Sequence, residues 1–297
     1  MHQQIPQFAL GLKCTKCHCP IVNLDDQQFL WYLKGKGLLC FQCKTELNLF
    51  KIIADCIEEN FFLNDVFAFV GAKKAIFDIK LDPGQPTVLT FEEYGIPKGS
   101  RILHINYTPQ GLALFPLEFH GNSPYRGVPR DSVVLYPARF VGKTETSTQV
   151  NVMITWVESG SLEDVSLKSL VDAFEEYSRG ELGTCIVPAN TAVEFDVMRY
   201  TETALEEVSS RNNIKEFFKS GISFVPTLKV IIPLLARLKG FPTMPEELFT
   251  SLVQLAVLRN QIAHTGKTKT PLLKKQVVIC LTGVVLGKWY VKELQKT

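Results

Sequence analysis

Two Cys-x2-Cys pairs, Cys14 with Cys17 and Cys40 with Cys43, limit what this chain can fold into more than any other feature. A Cys-x2-Cys turn aims two sulfurs at one point, and two such turns supply the four thiolates of a tetrahedral zinc site. Four bound thiolates leave no open position for water, so a zinc here is expected to be structural. A segment of about 50 residues has too small a core to stand alone, and metal would contribute much of its folding free energy. The 22 residues between the pairs exceed the usual spacing of roughly 15–20, and His18 and Cys19 in CTKCHC are competing ligands. Reduced, buried cysteines or a redox pair are the other reading of the same residues.

The rest of the chain can build cores of its own. It has 297 residues, 46% hydrophobic and 21% charged, which excludes a disordered chain and leaves room for two or three domains. The longest strongly apolar stretch, Gln276 to Gly287, holds 12 residues between Lys274, Lys275 and Lys288. A membrane span needs about 20, so none is expected. Nothing in MHQQIPQFAL reads as a signal peptide, and paired free thiols suit a reducing compartment. A cytoplasmic location is the expectation.

Texture divides the chain into three. The expected fold is multidomain α+β: a zinc ribbon plus helix at 1–60, a central β-sandwich or barrel at 61–158, and an all-α helical bundle at 159–297. In the first part Leu47, Phe50, Ile53, Ala54 and Ile57 recur at helical spacing. In the second, AIFDIKL, RILHINY and VNVMITW alternate as strands do, with turn residues in PGQP, IPKGS, HGNSPYRG and FVGKT. His104 and His120 have no second ligand at metal spacing and read as strand and turn histidines. In the third, apolar stripes predict helices in SLEDVSLKSLVDAFEEYSRG, AVEFDVMRYTETALEEVSS, IKEFFKS and PEELFTSLVQLAVLRNQIAH. Pro226 and Pro233 predict two short helices or one kinked helix. A last helix, from Pro271 to about Leu294, is expected to form the inner wall of the bundle. Cys56, Cys185 and Cys280 lack a motif and read as small buried hydrophobes.

The net charge of +2 conceals a segregation. Residues 158–209 carry 3 basic and 12 acidic groups, whereas residues 210–297 carry 14 and 4. Such a basic segment can attract nucleic acid, or the two segments can neutralise each other within one bundle. Within the basic segment lies LRNQIAHTGK, residues 258–267. Asn260 and His264 are four apart and share a helix face, and Arg259, about 140° away, can swing toward the same cleft. The carbonyl end of the helix favours an imidazolium at His264. A permanent cation, an amide and a titratable base can cleave RNA without a metal. The histidine takes the 2′-OH proton and the arginine neutralises charge on the phosphoryl oxygens. The leaving 5′-oxygen needs an acid too, which a two-fold dimer of such helix ends would provide. Lys267, Lys269, Lys274 and Lys275 follow directly and either hold an RNA backbone or form a solvated face. Taken alone, Arg259, Asn260 and His264 also fit a surface cation, a helix hydrogen bonder and a C-terminal cap.

Arg259-Asn260-x3-His264 resembles the RNxxxH form of the R-x4-6-H motif of the HEPN superfamily. The resemblance spans about residues 160–297, with Ala192-Val193-Glu194 on an earlier helix, a Pro-interrupted middle and a long apolar helix after Thr265-Gly266. The cysteine pairs resemble the zinc-ribbon family over those residues alone. The HEPN resemblance implies a dimerising helical bundle and, in active members, a metal-independent endoribonuclease. Arg259 and His264 would then be catalytic and Asn260 their positioning partner, whereas Glu194 is a weaker transfer that also fits as one more member of the acidic segment. It further implies RNA as partner (tRNA or phage transcripts), a homodimer formed through the C-terminal domain, and a role in toxin–antitoxin, phage-defence or CRISPR-associated systems. The front portion would be a sensor or would meet a regulatory protein partner. Two other classes stand beside it, a non-catalytic HEPN scaffold binding RNA or protein and a zinc-stabilised DNA-binding regulator. No Walker A, GxGxxG, HExxH or GxSxG occurs, which disfavours the commoner nucleotide-binding and hydrolase mechanisms.

Overall fold

Between the cysteine pairs sits a helix that no periodicity in the sequence announces, α1 (Asp26–Leu33). A short antiparallel ribbon follows, β1 (Leu38–Leu39) with β2 (Glu46–Leu47), and it brackets Cys40 and Cys43. Next comes α2 (Leu49–Glu58), on the expected apolar spacing. The Asn48 side chain accepts from the Lys51 amide at 2.9 Å and fixes its start, while Leu49, Phe50, Ile52, Ile53, Cys56 and Ile57 are buried. The computed structural model describes residues 12–19, 21, 26–59, 72–109, 117–119, 131–137, 147–158, 160 and 163–297.

The central region forms β3 (Lys73–Leu81), β4 (Thr87–Thr90), β5 (Arg101–Pro109), β6 (Leu117–Phe119), β7 (Ser132–Pro137) and β8 (Thr148–Val157). The three strands read from alternation lie in β3, β5 and β8, which pair antiparallel in the order β3-β8-β5. The shorter strands form a second sheet, β4-β7-β6. Buried residues of both sheets, among them Ile79, Leu89, Leu135, Val152 and Trp156, share one core. The expected sandwich or barrel is thus two small sheets, with no closed barrel among the described residues. The simple alternation of RILHINY also fails. Register against β8 shifts between Ile102 and His104, and the neighbours Ile102 and Leu103 are both buried. An irregularity of this kind re-aims successive side chains. His104 lies on β5, while His120 falls outside the described residues.

The C-terminal region is helical, as expected: α3 (Val165–Ser178), α4 (Ile186–Glu206), α5 (Arg211–Lys219), α6 (Phe224–Leu238), α7 (Glu246–Thr265) and α8 (Lys274–Gln295). Pro226 and Pro233 sit in one helical run, α6, whose Thr227–Ile231 portion widens into a π turn between them. That wider turn accommodates the missing amide donors without ending the helix. Helix α7 opens after Pro245 with Glu246 and Glu247 in its first turn, and it stops at Gly266, whose φ of 72° suits a residue without Cβ. Every residue from 281 to 291 of α8 is buried, so α8 is the inner wall. Among the described residues, no single helix is long and apolar enough to cross a membrane.

By contacts the chain divides into two compact units, 71–164 and the combination of 1–70 with 165–297. Within the second of these, α2 packs along α8, and Phe29 of α1 stacks on Trp289 with ring centroids 4.2 Å apart. The cysteine-bearing segment therefore shares its packing with the helices.

Candidate functional site

Both cysteine turns have the same backbone. In the first, the His18 amide donates to the Cys14 carbonyl (3.0 Å) and the Cys14 amide to the Cys19 carbonyl (2.9 Å). In the second, Lys44 donates to Cys40 and Cys40 to Thr45, both at 2.9 Å. The residue after each second cysteine, His18 or Lys44, takes a left-handed conformation, with φ of 57° and 55°. Repetition of this uncommon geometry at two non-glycine positions marks a pair of matched turns.

The turns bring four thiols together. Cys14 and Cys43 sulfurs are 3.6 Å apart, as are those of Cys17 and Cys40, and all four lie within 4.8 Å of one another. Four sulfurs each about 2.3 Å from one zinc stand about 3.8 Å apart. The donor set fits a tetrahedral metal ion, and the four cysteines can hold one. His18 and Cys19 are not in the cluster. The Thr45 side chain, 3.2 Å from the Cys43 sulfur, and the Thr45 amide draw that thiol down to about 6, toward the thiolate a metal requires. By contrast, burial pushes Cys185 and Cys280 up to about 12, as suits packed hydrophobes rather than nucleophiles.

Polar contacts tie this segment to the helices. Asn48 donates to the Glu247 carboxylate in the first turn of α7 at 3.2 Å. At the far end of α2, the Tyr177 hydroxyl donates to the Ile57 carbonyl (3.2 Å) and Lys274 to the Glu58 carbonyl (2.9 Å). Both ends of α2 are thereby held by residues more than a hundred positions away.

The other candidate residues lie at the end of α7. Arg259 is half-buried and donates to the Asn260 side-chain oxygen at 3.1 Å. Asn260 and His264 are exposed one turn apart. His264 makes no hydrogen bond among the described residues, so the pair of Arg259 and Asn260 is brought together and the histidine stands open beside it. Glu194 is on α4, where it accepts from Asn190 at 2.6 Å. Lys267 and Lys269 are exposed in the loop after α7, as Lys275 is on α8. Lys274 is engaged with α2 and lies 5.9 Å from the Tyr177 ring centroid.

No protein-family model, curated protein or solved structure matches this chain. The HEPN resemblance therefore stands on the α7 residues and the helical C-terminal region alone. Sequence reasoning missed a cavity beside this helix end and a buried ion pair in the bundle. A lysine set directly before Trp289 and Tyr290 in an apolar helix was the available signal for the pair.

Proposed function

We propose that this protein is a metal-independent endoribonuclease of HEPN type, with its active site at the C-terminal end of α7. The observation that carries this reading is the Arg259–Asn260 hydrogen bond beside an exposed His264 one turn further on. Neutral His264 takes the proton from a ribose 2′-OH, and the freed oxygen attacks the adjacent phosphorus. Arg259, oriented by Asn260, neutralises the charge that builds on the phosphoryl oxygens. The bond to the 5′-oxygen breaks, and that oxygen receives a proton from the imidazolium of a second copy in a homodimer. RNA backbone contacts fall to Lys267, Lys269 and Lys275. The four cysteines hold one structural zinc, because four thiolates leave no position for water. The setting the resemblance implies is bacterial defence or a toxin-type stress response.

The test uses zinc-loaded full-length protein, single-stranded RNA and tRNA, and no added divalent cation. Wild type is expected to cleave. His264→Ala should lose about 10²–10⁴-fold in rate, and Arg259→Ala about 10²–10³-fold. Both side chains lie outside the packed core, so circular dichroism should show the fold intact. Equal cleavage by wild type and His264→Ala would reject the proposal, and RNA binding without cleavage would favour a non-catalytic scaffold.

A further inference from the structure

Helix α6 turns an apolar line outward. Its buried side is Phe224, Thr227, Leu228, Ile232 and Ala236, and the helix packs on α4 and α7. On the opposite side Val230, Leu234 and Leu238 follow one another at intervals of four, the spacing that stacks side chains along a helix. They are 62%, 52% and 74% exposed. Half-buried Ile231 and Leu235 border this line on one flank and join it to the core. A contiguous apolar strip with a polar rim marks an interaction surface.

The other flank is basic. Lys229 and Arg237 each come one position before a member of the line, and both are exposed. Lys239, just beyond the helix, lies 5.7 Å from the Tyr200 ring centroid. No Asp or Glu occurs between Glu216 and Glu246, a stretch that also carries Lys219 at the end of α5. The charge on this face calls for an anionic partner, and the line beside it for one that accepts aliphatic side chains. Single-stranded RNA is anionic, but it adheres by stacking its bases on rings, and the exposed line is aliphatic. A second copy seated on the same face would gather the like charges of both chains around one apolar patch.

A lipid surface meets both demands. Aliphatic side chains enter the boundary between headgroups and acyl chains, while lysine and arginine keep their charges among the phosphates. Taken together, α5 and α6 have the length and composition of a membrane-crossing pair, but they bend by 115° and the inner side of α6 belongs to the protein core. The face can therefore lie on a bilayer without crossing it. We infer that the outer face of α6, Val230, Leu234 and Leu238 with Lys229 and Arg237, docks on an anionic lipid surface. Three aliphatic side chains or two charges alone bind weakly, so docking needs both and is reversible. It does not depend on the nuclease reading.

Co-sedimentation of the zinc-loaded full chain with vesicles tests it. One set holds three parts phosphatidylcholine to one part phosphatidylserine, and the other is phosphatidylcholine alone. Binding to the anionic set is expected to be more than about tenfold tighter, and to weaken as salt rises. Lys229→Gln with Arg237→Gln should lose about 25-fold, about fivefold for each charge. Leu234→Gln with Leu238→Gln should lose about tenfold or more, with circular dichroism unchanged because both positions are exposed. Equal binding to both sets, binding to neither, or binding that the two double variants leave intact would overturn the inference. RNA affinity that both double variants reduce, without vesicle binding, would assign the face to RNA. A dimer that separates in the Leu234→Gln, Leu238→Gln chain would assign it to a second copy, and either result would overturn lipid docking. Selective vesicle binding by a protein that cuts no RNA would remove the nuclease reading and leave the docking face in place.

Discussion

Lys288 ends the uncharged run of the last helix, yet it is only 9% exposed. Its ammonium lies 2.5 Å from an Asp196 oxygen on α4 and also donates to the Ser166 hydroxyl. The Ser166 hydroxyl donates in turn to the Ala192 carbonyl at 2.7 Å, and Arg199 donates to the second Asp196 oxygen at 3.3 Å. A buried pair of this kind adds little against an apolar replacement, but removing one partner strands the other. Lys288→Met is expected to lower the unfolding free energy by about 3–5 kcal/mol in urea titrations, and adding Asp196→Leu should restore most of it. A loss below about 1 kcal/mol for the single variant would contradict this assignment. The sequence shows a lysine among apolar neighbours and so calls for a buried acid. Which of the 12 acids in residues 158–209 answers it depends on how α4 packs on α8, a long-range fact that spacing does not carry.

Elements whose signals are local were legible. The apolar stripe of α2, the Pro245 start and Gly266 stop of α7, and the length of α8 all follow from periodicity and end residues. Elements set by distant contacts were not. Helix α1 depends on Phe29 finding Trp289, and the pairing of β4, β7 and β6 depends on a core shared with the other sheet. The crossing of α7 and α8 belongs to the same class. A Cβ on Gly283 would meet the Ser251 hydroxyl at 2.1 Å and its Cβ at 2.9 Å, so the two helices approach where neither carries bulk. Gly283→Ala is expected to cost about 1–3 kcal/mol through overpacking, seen as a lower thermal midpoint. Ser251→Gly in the same chain should recover part of it. An unchanged midpoint for Gly283→Ala would show that the helices do not meet there. At the α7 end, the Arg259–Asn260–His264 spacing was legible because a helix fixes it, whereas the cavity needed α3, α4 and α7 together.

At the scale of the molecule, the cysteine segment is built into the helical unit through Phe29 on Trp289, Asn48 on Glu247 and Lys274 on the end of α2. Metal removal is therefore expected to loosen α7 and α8 as well as the two turns. Chelation, or Cys14→Ser with Cys40→Ser, should lower the thermal midpoint followed by helical circular dichroism by about 5 °C or more. Helical melting that ignores the metal would mean that the turns are independent of the bundle. Residues 165–209 of the acidic segment and the basic residues 210–297 fold into this one unit, so the two surpluses offset each other in part within it. The nuclease reading makes a chemical claim that product ends decide. Attack by the 2′-oxygen should leave a 2′,3′-cyclic phosphate on one fragment and a 5′-hydroxyl on the other, and a single 2′-deoxy substitution at the cut should block cleavage. Mass spectrometry of fragments released by wild type and absent with His264→Ala is the most direct measurement. Cyclic phosphate ends are expected, and 3′-hydroxyl with 5′-phosphate ends, or fragments unaffected by the His264 change, would contradict the account.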